Sequence, residues 1–310
     1  MTLSIETYRQ DFLEGMVALY NAETVDEPHI APLDPQRFVE LIERKPAFDP
    51  GGLFVAVEQG RVVGWTHACV TPGTEPWSDA VKPVPRIVML LYARDQLKIG
   101  HALVSQATAW LRQHKQGLCL AMSPLMGYPF YRGLWLGGEP MGVATMPHIQ
   151  LAFATSGYRS TCESLLMAAE LREPVAMPRA EVPLELVESP ANMAHAPMRD
   201  SWLGFEPFMA RAYVRDEEAG YVGWVLLPQV AERLGAPCVS IWGLSVQEKH
   251  RRQGIGAALV GLALQRGYAL GARFASVTTQ LWNAPAQATY ARLGYRPYRL
   301  LLGRTLQQGR

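Results

Sequence analysis

Residues 241–264, IWGLSVQEKHRRQGIGAALVGLAL, hold the strongest chemical signal in the chain. An apolar strand ends at Val246, a polar and basic loop follows, and an apolar helix opens at Ile255. Gly254 and Gly256 carry no Cβ, so the backbone can turn tightly and bring its N–H groups close to a ligand. First-turn N–H groups lack carbonyl partners and sit at the positive end of the helix dipole, which suits a diphosphate. Arg251 and Arg252 add charge beside them. The same residues would also serve a plain polar connection with a glycine turn. Two other phosphate chemistries are excluded. A dinucleotide fingerprint needs a small residue where Leu259 stands and an acid about 20 positions on, which is absent. The Gly-Lys-Ser/Thr of a P-loop is absent too.

A second element lies at 283–295, NAPAQATYARLGY. Asn283 is a good N-cap, Pro285 is tolerated in a first turn, and Ala286, Tyr290 and Leu293 recur at helical spacing. Read from its position alone, Tyr290 is either a core aromatic whose hydroxyl finds a partner or a proton donor. His101 and His148 read as structural or exposed. The aromatic run Tyr128, Phe130, Tyr131, Trp135 could wall a substrate site, although such clusters more commonly pin a long loop to the core.

Arg251-x-x-Gly254-x-Gly256 followed by Asn283…Tyr290…Gly294-Tyr295 resembles the GCN5-related N-acetyltransferases (GNAT). The likeness covers Val182–Leu306 well and the first half only in outline. It implies a mixed α/β fold, a mostly antiparallel twisted sheet flanked by helices, in two tandem copies. It implies acetyl-CoA as co-substrate and direct acetyl transfer to the amine of a small-molecule acceptor, with no metal. The strand edge Leu244, Ser245, Val246 would pair with the pantetheine arm. Arg251 would lend charge, and the backbone of Arg252, Gln253, Gly254, Ile255, Gly256 and Ala257 would hold the diphosphate. Asn283 would lie beside the pantetheine, and Tyr290 would protonate the departing thiolate. The strand Val239–Val246 offers no carboxylate as base, which leaves Glu206, Glu217, Glu232 or water. Two alternatives stay open: a mycothiol-synthase-like transferase, and a coenzyme A-binding sensor or scaffold without turnover.

These residues need a scaffold, and the chain supplies its parts twice. A strand Leu3–Arg9 precedes helices that Asp11 and Asp34 can cap, ending near Glu23 and Lys45. A hairpin over 53–70 turns at Gln59-Gly60. A proline-rich loop (Pro72, Pro76, Pro83, Pro85) leads to a strand at Ile87–Tyr92, then a helix Ile99–Gln113 and a strand Leu118–Ser123. A helix near His148–Thr155 and a strand from Tyr158 to about Leu171 close this half. The order recurs from Leu184, with the two copies spaced about 150 residues apart, as expected of a duplicated unit. The expected division is 1–172, a degenerate GNAT-like domain; 173–183, a linker with three prolines; and 184–310, the catalytic domain. Degeneracy follows from register: Lys98 stands for Gly254, Gly100 for Gly256, Asp95 for Arg251 and Phe153 for Tyr290. The second half has only Ala191–Gly204 between its first two strands, so the first half is expected to wall the acceptor side.

The bulk composition fits. At 310 residues and 49% hydrophobic the chain can bury two cores, and 29 basic against 28 acidic residues suggest neither a nucleic-acid nor a membrane partner. The N-terminus does not read as a secretory signal, and the four scattered cysteines read as reduced thiols of a cytoplasmic protein. Monomer and homodimer are both compatible with these features.

Overall fold

The structure, a computed structural model, describes residues 3–74, 81–115, 117–123, 130–136, 142–143, 146–191 and 196–307. The chain opens with β1 (Leu3–Thr7), a 3-10 turn and α1 (Leu13–Glu23). Asp11 does not cap α1; it pairs with Arg9 at 3.3 Å, and Phe12 takes the cap position. Asp34 does cap α2 (Pro35–Phe38), its carboxylate accepting the Arg37 N–H at 2.7 Å, and a π-helical turn continues to Glu43. β2 (Leu53–Glu58) and β3 (Arg61–Thr74) form the expected hairpin, with Gln59 and Gly60 at φ 53° and 74°, as a tight type I′ turn requires. β4 (Val81–Tyr92), α3 (Leu97–His114), β5 (Leu118–Ala121), β6 (Gly142–Val143), α4 (Pro147–Thr155) and β7 (Arg159–Glu170) complete the first half.

The prolines before Ile87 do not form a loop. Pro72 lies in β3 opposite Pro83 of β4, and Pro85 lies opposite Val70. Pro83 and Pro85 are two residues apart, so their missing donors face one edge of β4, and β5 joins β4 only from Arg86. Pro76 lies outside the described residues, as does Tyr128.

The second half runs β8 (Glu185–Pro190), α5 (Ala196–Ser201), β9 (Phe208–Val214), β10 (Glu217–Leu227), α6 (Ala231–Leu234), β11 (Cys238–Val246), α7 (Ile255–Ala269), β12 (Phe274–Gln280), α8 (Ala284–Arg292) and β13 (Arg296–Gln307). Among the described residues all the strands join one 13-stranded sheet, ordered β1-β2-β3-β4-β5-β13-β7-β12-β11-β10-β9-β8, with β6 on β13. It is mostly antiparallel; β4–β5 and β11–β12 are parallel pairs. Each half's last strand sits in the other half's part of the sheet. β7 pairs with β12, and β13 lies between β5 and β7.

One apolar core underlies α1 and α3, and Phe130, Tyr131 and Trp135 are buried in it. Tyr131 also bonds the His67 ring at 2.9 Å. These three described aromatics of the run are therefore part of the core. A second core lies beneath α7 and α8 and includes Tyr290. The proline-bearing segment 173–183 is ordered against α7: Gln265 donates to the Val175 carbonyl at 2.7 Å, and the Glu181 N–H to the Gln253 carbonyl at 2.9 Å. Val175, Ala180 and Val182 join the second core.

Candidate active site

β11 and β12 pair only over Cys238–Ile241 and Phe274–Val277. Beyond that point β11 follows β10 to Val246, while β12 follows β7 to Gln280. The facing edges of 242–246 and 278–280 diverge, and among the described residues no strand lies between them. Trp242 is the extra residue of a bulge where the divergence starts, since Gly223 opposes Gly243 and Trp224 opposes Ile241. Bulges turn a strand and re-aim its side chains. The slot is thus a consequence of pairing: each strand is held by its outer neighbour and released by its inner one.

Eight residues, 247–254, connect β11 to α7. Arg252 and Gly254 are left-handed, at φ 67° and 78°, and Gly254 takes the cap position of α7. Arg251 bends towards the strand end and donates from Nε to the Val246 carbonyl at 3.1 Å, while Arg251 and Arg252 both remain exposed. Gln253 is held by the 173–183 segment through its carbonyl. Ile255 is buried and anchors the helix start. Among the described residues, a Cβ on Gly256 would meet only the Val246 Cγ2 at 3.6 Å, so they leave that face of the first turn open. Leu244, Ser245 and Val246 are half-buried along the diverging edge.

Asn283 caps α8 by accepting the Ala286 N–H at 3.3 Å, and Pro285 fits the first turn. Tyr290 is buried on α8 with its ring 5.6 Å from that of Tyr295. Burial pushes the Tyr290 phenol up to about 12. Of the three candidate bases, Glu232 on α6 bonds Arg37 at 2.7 Å, and Glu217 bonds Lys249 and lies 3.7 Å from His250. The Lys249 bond holds the Glu217 carboxyl below the usual carboxylate range. Glu206 is exposed before β9.

The first half's equivalent is closed. β4 and β5 also pair briefly, at Arg86–Ile87, and β4 runs on to Tyr92. The connection to α3 is only four residues, 93–96, so Lys98 falls inside the helix and no cradle forms. The buried Tyr92 ring covers Gly100, where a Cβ would come 2.5 Å from its carbons. Its hydroxyl donates to the His148 carbonyl at 2.5 Å. Phe153 is buried against Tyr158, their rings 5.3 Å apart. His101 bonds Thr155 at 2.6 Å, and His148 packs on Tyr92, so both histidines are structural.

Some contributors gave no signal in the sequence. Trp242 packs on Trp202 at 5.9 Å and Trp202 on Phe205 at 6.0 Å, with Arg132 of the first half over Trp202 at 4.2 Å. Lys45 of the first half donates to the Asp200 and Leu203 carbonyls at 3.2 and 2.8 Å, capping α5. The first half therefore walls the face of the sheet opposite α7. Periodicity does not mark the Trp242–Trp202, Arg132–Trp202 and Lys45 contacts, because each joins residues far apart in sequence.

Residues 181–295 match the Acetyltransferase (GNAT) family. No curated protein sequence matches the chain. Among solved structures it is similar to a GCN5-related N-acetyltransferase from Sphaerobacter thermophilus, at 12% identity and TM-score 0.68, over 98% of this chain and 95% of that one. It is similar to a tandem GNAT protein from the clavulanic acid biosynthesis pathway, at 17% and 0.65, over 100% and 99%. A GCN5-related N-acetyltransferase from Anabaena variabilis aligns at 10% and 0.55, over 98% and 72%. Among the described residues no helix is long and apolar enough to cross a membrane. Residues 181–295, which carry the open slot and the glycine loop, form a domain that matches the acetyltransferase (GNAT) family, and the whole chain has the fold of a tandem GNAT protein.

Proposed function

We propose that the chain transfers an acetyl group from acetyl-CoA directly to the amine of a small molecule, with the cofactor held in the second half alone. One observation carries this reading: the slot between 242–246 and 278–280 opens beside a bare Gly256, whereas Tyr92 fills the corresponding place over Gly100. The backbone N–H groups of 252–257 would hold the diphosphate, with Arg251 and Arg252 adding charge. The edge Leu244–Val246 would pair with the pantetheine arm, though the Val246 carbonyl is already shared with Arg251. Asn283 sets the start of α8 beside that arm. When bound, acetyl-CoA supplies an acyl group activated as a thioester.

The aromatic wall of Trp242, Trp202 and Phe205 gives the acceptor a dry face to approach from. The amine must lose a proton to attack. Glu217 and Glu232 are held by cations, so Glu206 or water accepts it. Tyr290 keeps its proton throughout the neutral range. Burial disfavours the phenolate and makes Tyr290 a weaker acid than an exposed phenol. Tyr290 is therefore better suited to donate a hydrogen bond to the charge developing on sulfur, and the proton released by the amine completes the balance. Release of free thiol from acetyl-CoA, followed across a panel of amines, tests the reading. Amine-dependent release supports it; no release with any amine, and no acetyl-CoA binding, refutes it.

A further inference from the structure

We infer that β7, a strand of the first half, is a positioning element of the cofactor slot in the second. The inference rests on the reading that the slot takes acetyl-CoA, and it explains what the closed first half contributes. Past Val277, β12 has left β11, and its neighbours at Thr278, Thr279 and Gln280 are Leu166, Leu165 and Ser164 of β7. The hold extends one residue further, where the Leu281 N–H donates to the Glu163 carbonyl at 3.0 Å, just before Asn283. Among the described residues, β7 is the sole strand that pairs with this half of the slot's far wall. Leu165 and Met167 also belong to the apolar cluster that buries Tyr290. The other edge of β7 is taken by β13, which continues to β5. The halves are thus clasped by exchanged strands, and the slot is a joint construction.

A protease site inserted between the exposed Arg172 and Glu173 would cut the chain while leaving the ordered 175–182 segment with the second half. The cut protein is expected to elute as one species and to bind acetyl-CoA as the uncut chain does. Fragments that separate without denaturant would overturn the inference.

A variant of the uncut chain distinguishes positioning from mere support. Leu165→Ala should lower turnover about tenfold beyond any loss of folded protein, with Leu165→Met recovering it. Turnover unchanged while the melting temperature falls would also overturn the inference. Were the uncut protein not to bind acetyl-CoA at all, the proposed function would fail, and co-elution of the fragments would still report on the exchange.

Discussion

Gly254 sits at φ 78°, and a Cβ there would lie 3.0 Å from the Arg179 carbonyl oxygen. Its glycine is required by the fold whatever the loop binds. Gly254→Ala should cost about 1–2 kcal/mol in thermal or urea unfolding, the penalty of a left-handed Cβ. An unchanged midpoint would mean the loop relaxes. Gly256, two residues on, is under no such constraint, and its missing Cβ is better explained by a ligand than by the fold. Both glycines were legible as a pair in the sequence; their different burdens were not, because one depends on a segment more than seventy residues away. Tyr290 was ambiguous in sequence between core and chemistry, and the structure shows it is part of the core in any case. Tyr290→Phe should leave acetyl-CoA affinity unchanged and lower kcat about 10²–10³-fold, as for removal of one donor to a developing anion. With the phenol up at about 12, activity should show no falling limb from this group as pH rises through 10. A loss titrating near 10, absent in Tyr290→Phe, would show that burial does not protect its proton.

The two strand–loop–helix units differ most in the loop, eight residues in the second half against four in the first. In sequence register Lys98 stands for Gly254; in the structure the first half lacks the loop as well as the glycine. Helices α1, α3, α7 and α8, and the hairpins, were legible from periodicity and turn residues. The prolines concealed the long β3–β4 hairpin, because their tolerance depends on which edge of β4 is unpaired. α6, four residues long, is too short to show a period, yet its Arg233 reaches the Thr24 hydroxyl at 3.1 Å at the end of α1. α5 depends on the first half in the same way. Lys45→Met removes the charged donor from the Asp200 and Leu203 carbonyls and should cost about 1–3 kcal/mol, read by urea unfolding. It should also raise KM for the amine more than for acetyl-CoA, since α5 leads into Trp202. Equal shifts in both would separate this wall from the acceptor.

The sequence suggests a division at 173–183; the exchange of β7 and β13 leaves no mark in it, since sheet order is a tertiary choice among strands of like composition. Clasped halves should unfold together, so calorimetry is expected to show one cooperative thermal transition; two separated transitions would contradict the clasp. The claim that matters most for function is that an open slot in the second half, and none in the first, takes the cofactor. Gly256→Glu tests it with little risk to the fold, because the new Cβ meets only ordinary contact and a carboxylate in a helix's first turn favours the dipole. The same carboxylate would stand where a diphosphate must sit. Isothermal titration with acetyl-CoA should give one equivalent bound to the wild-type chain and none to Gly256→Glu at an undiminished melting temperature. Two equivalents on the wild type, or binding to the variant with unchanged affinity, would contradict the account.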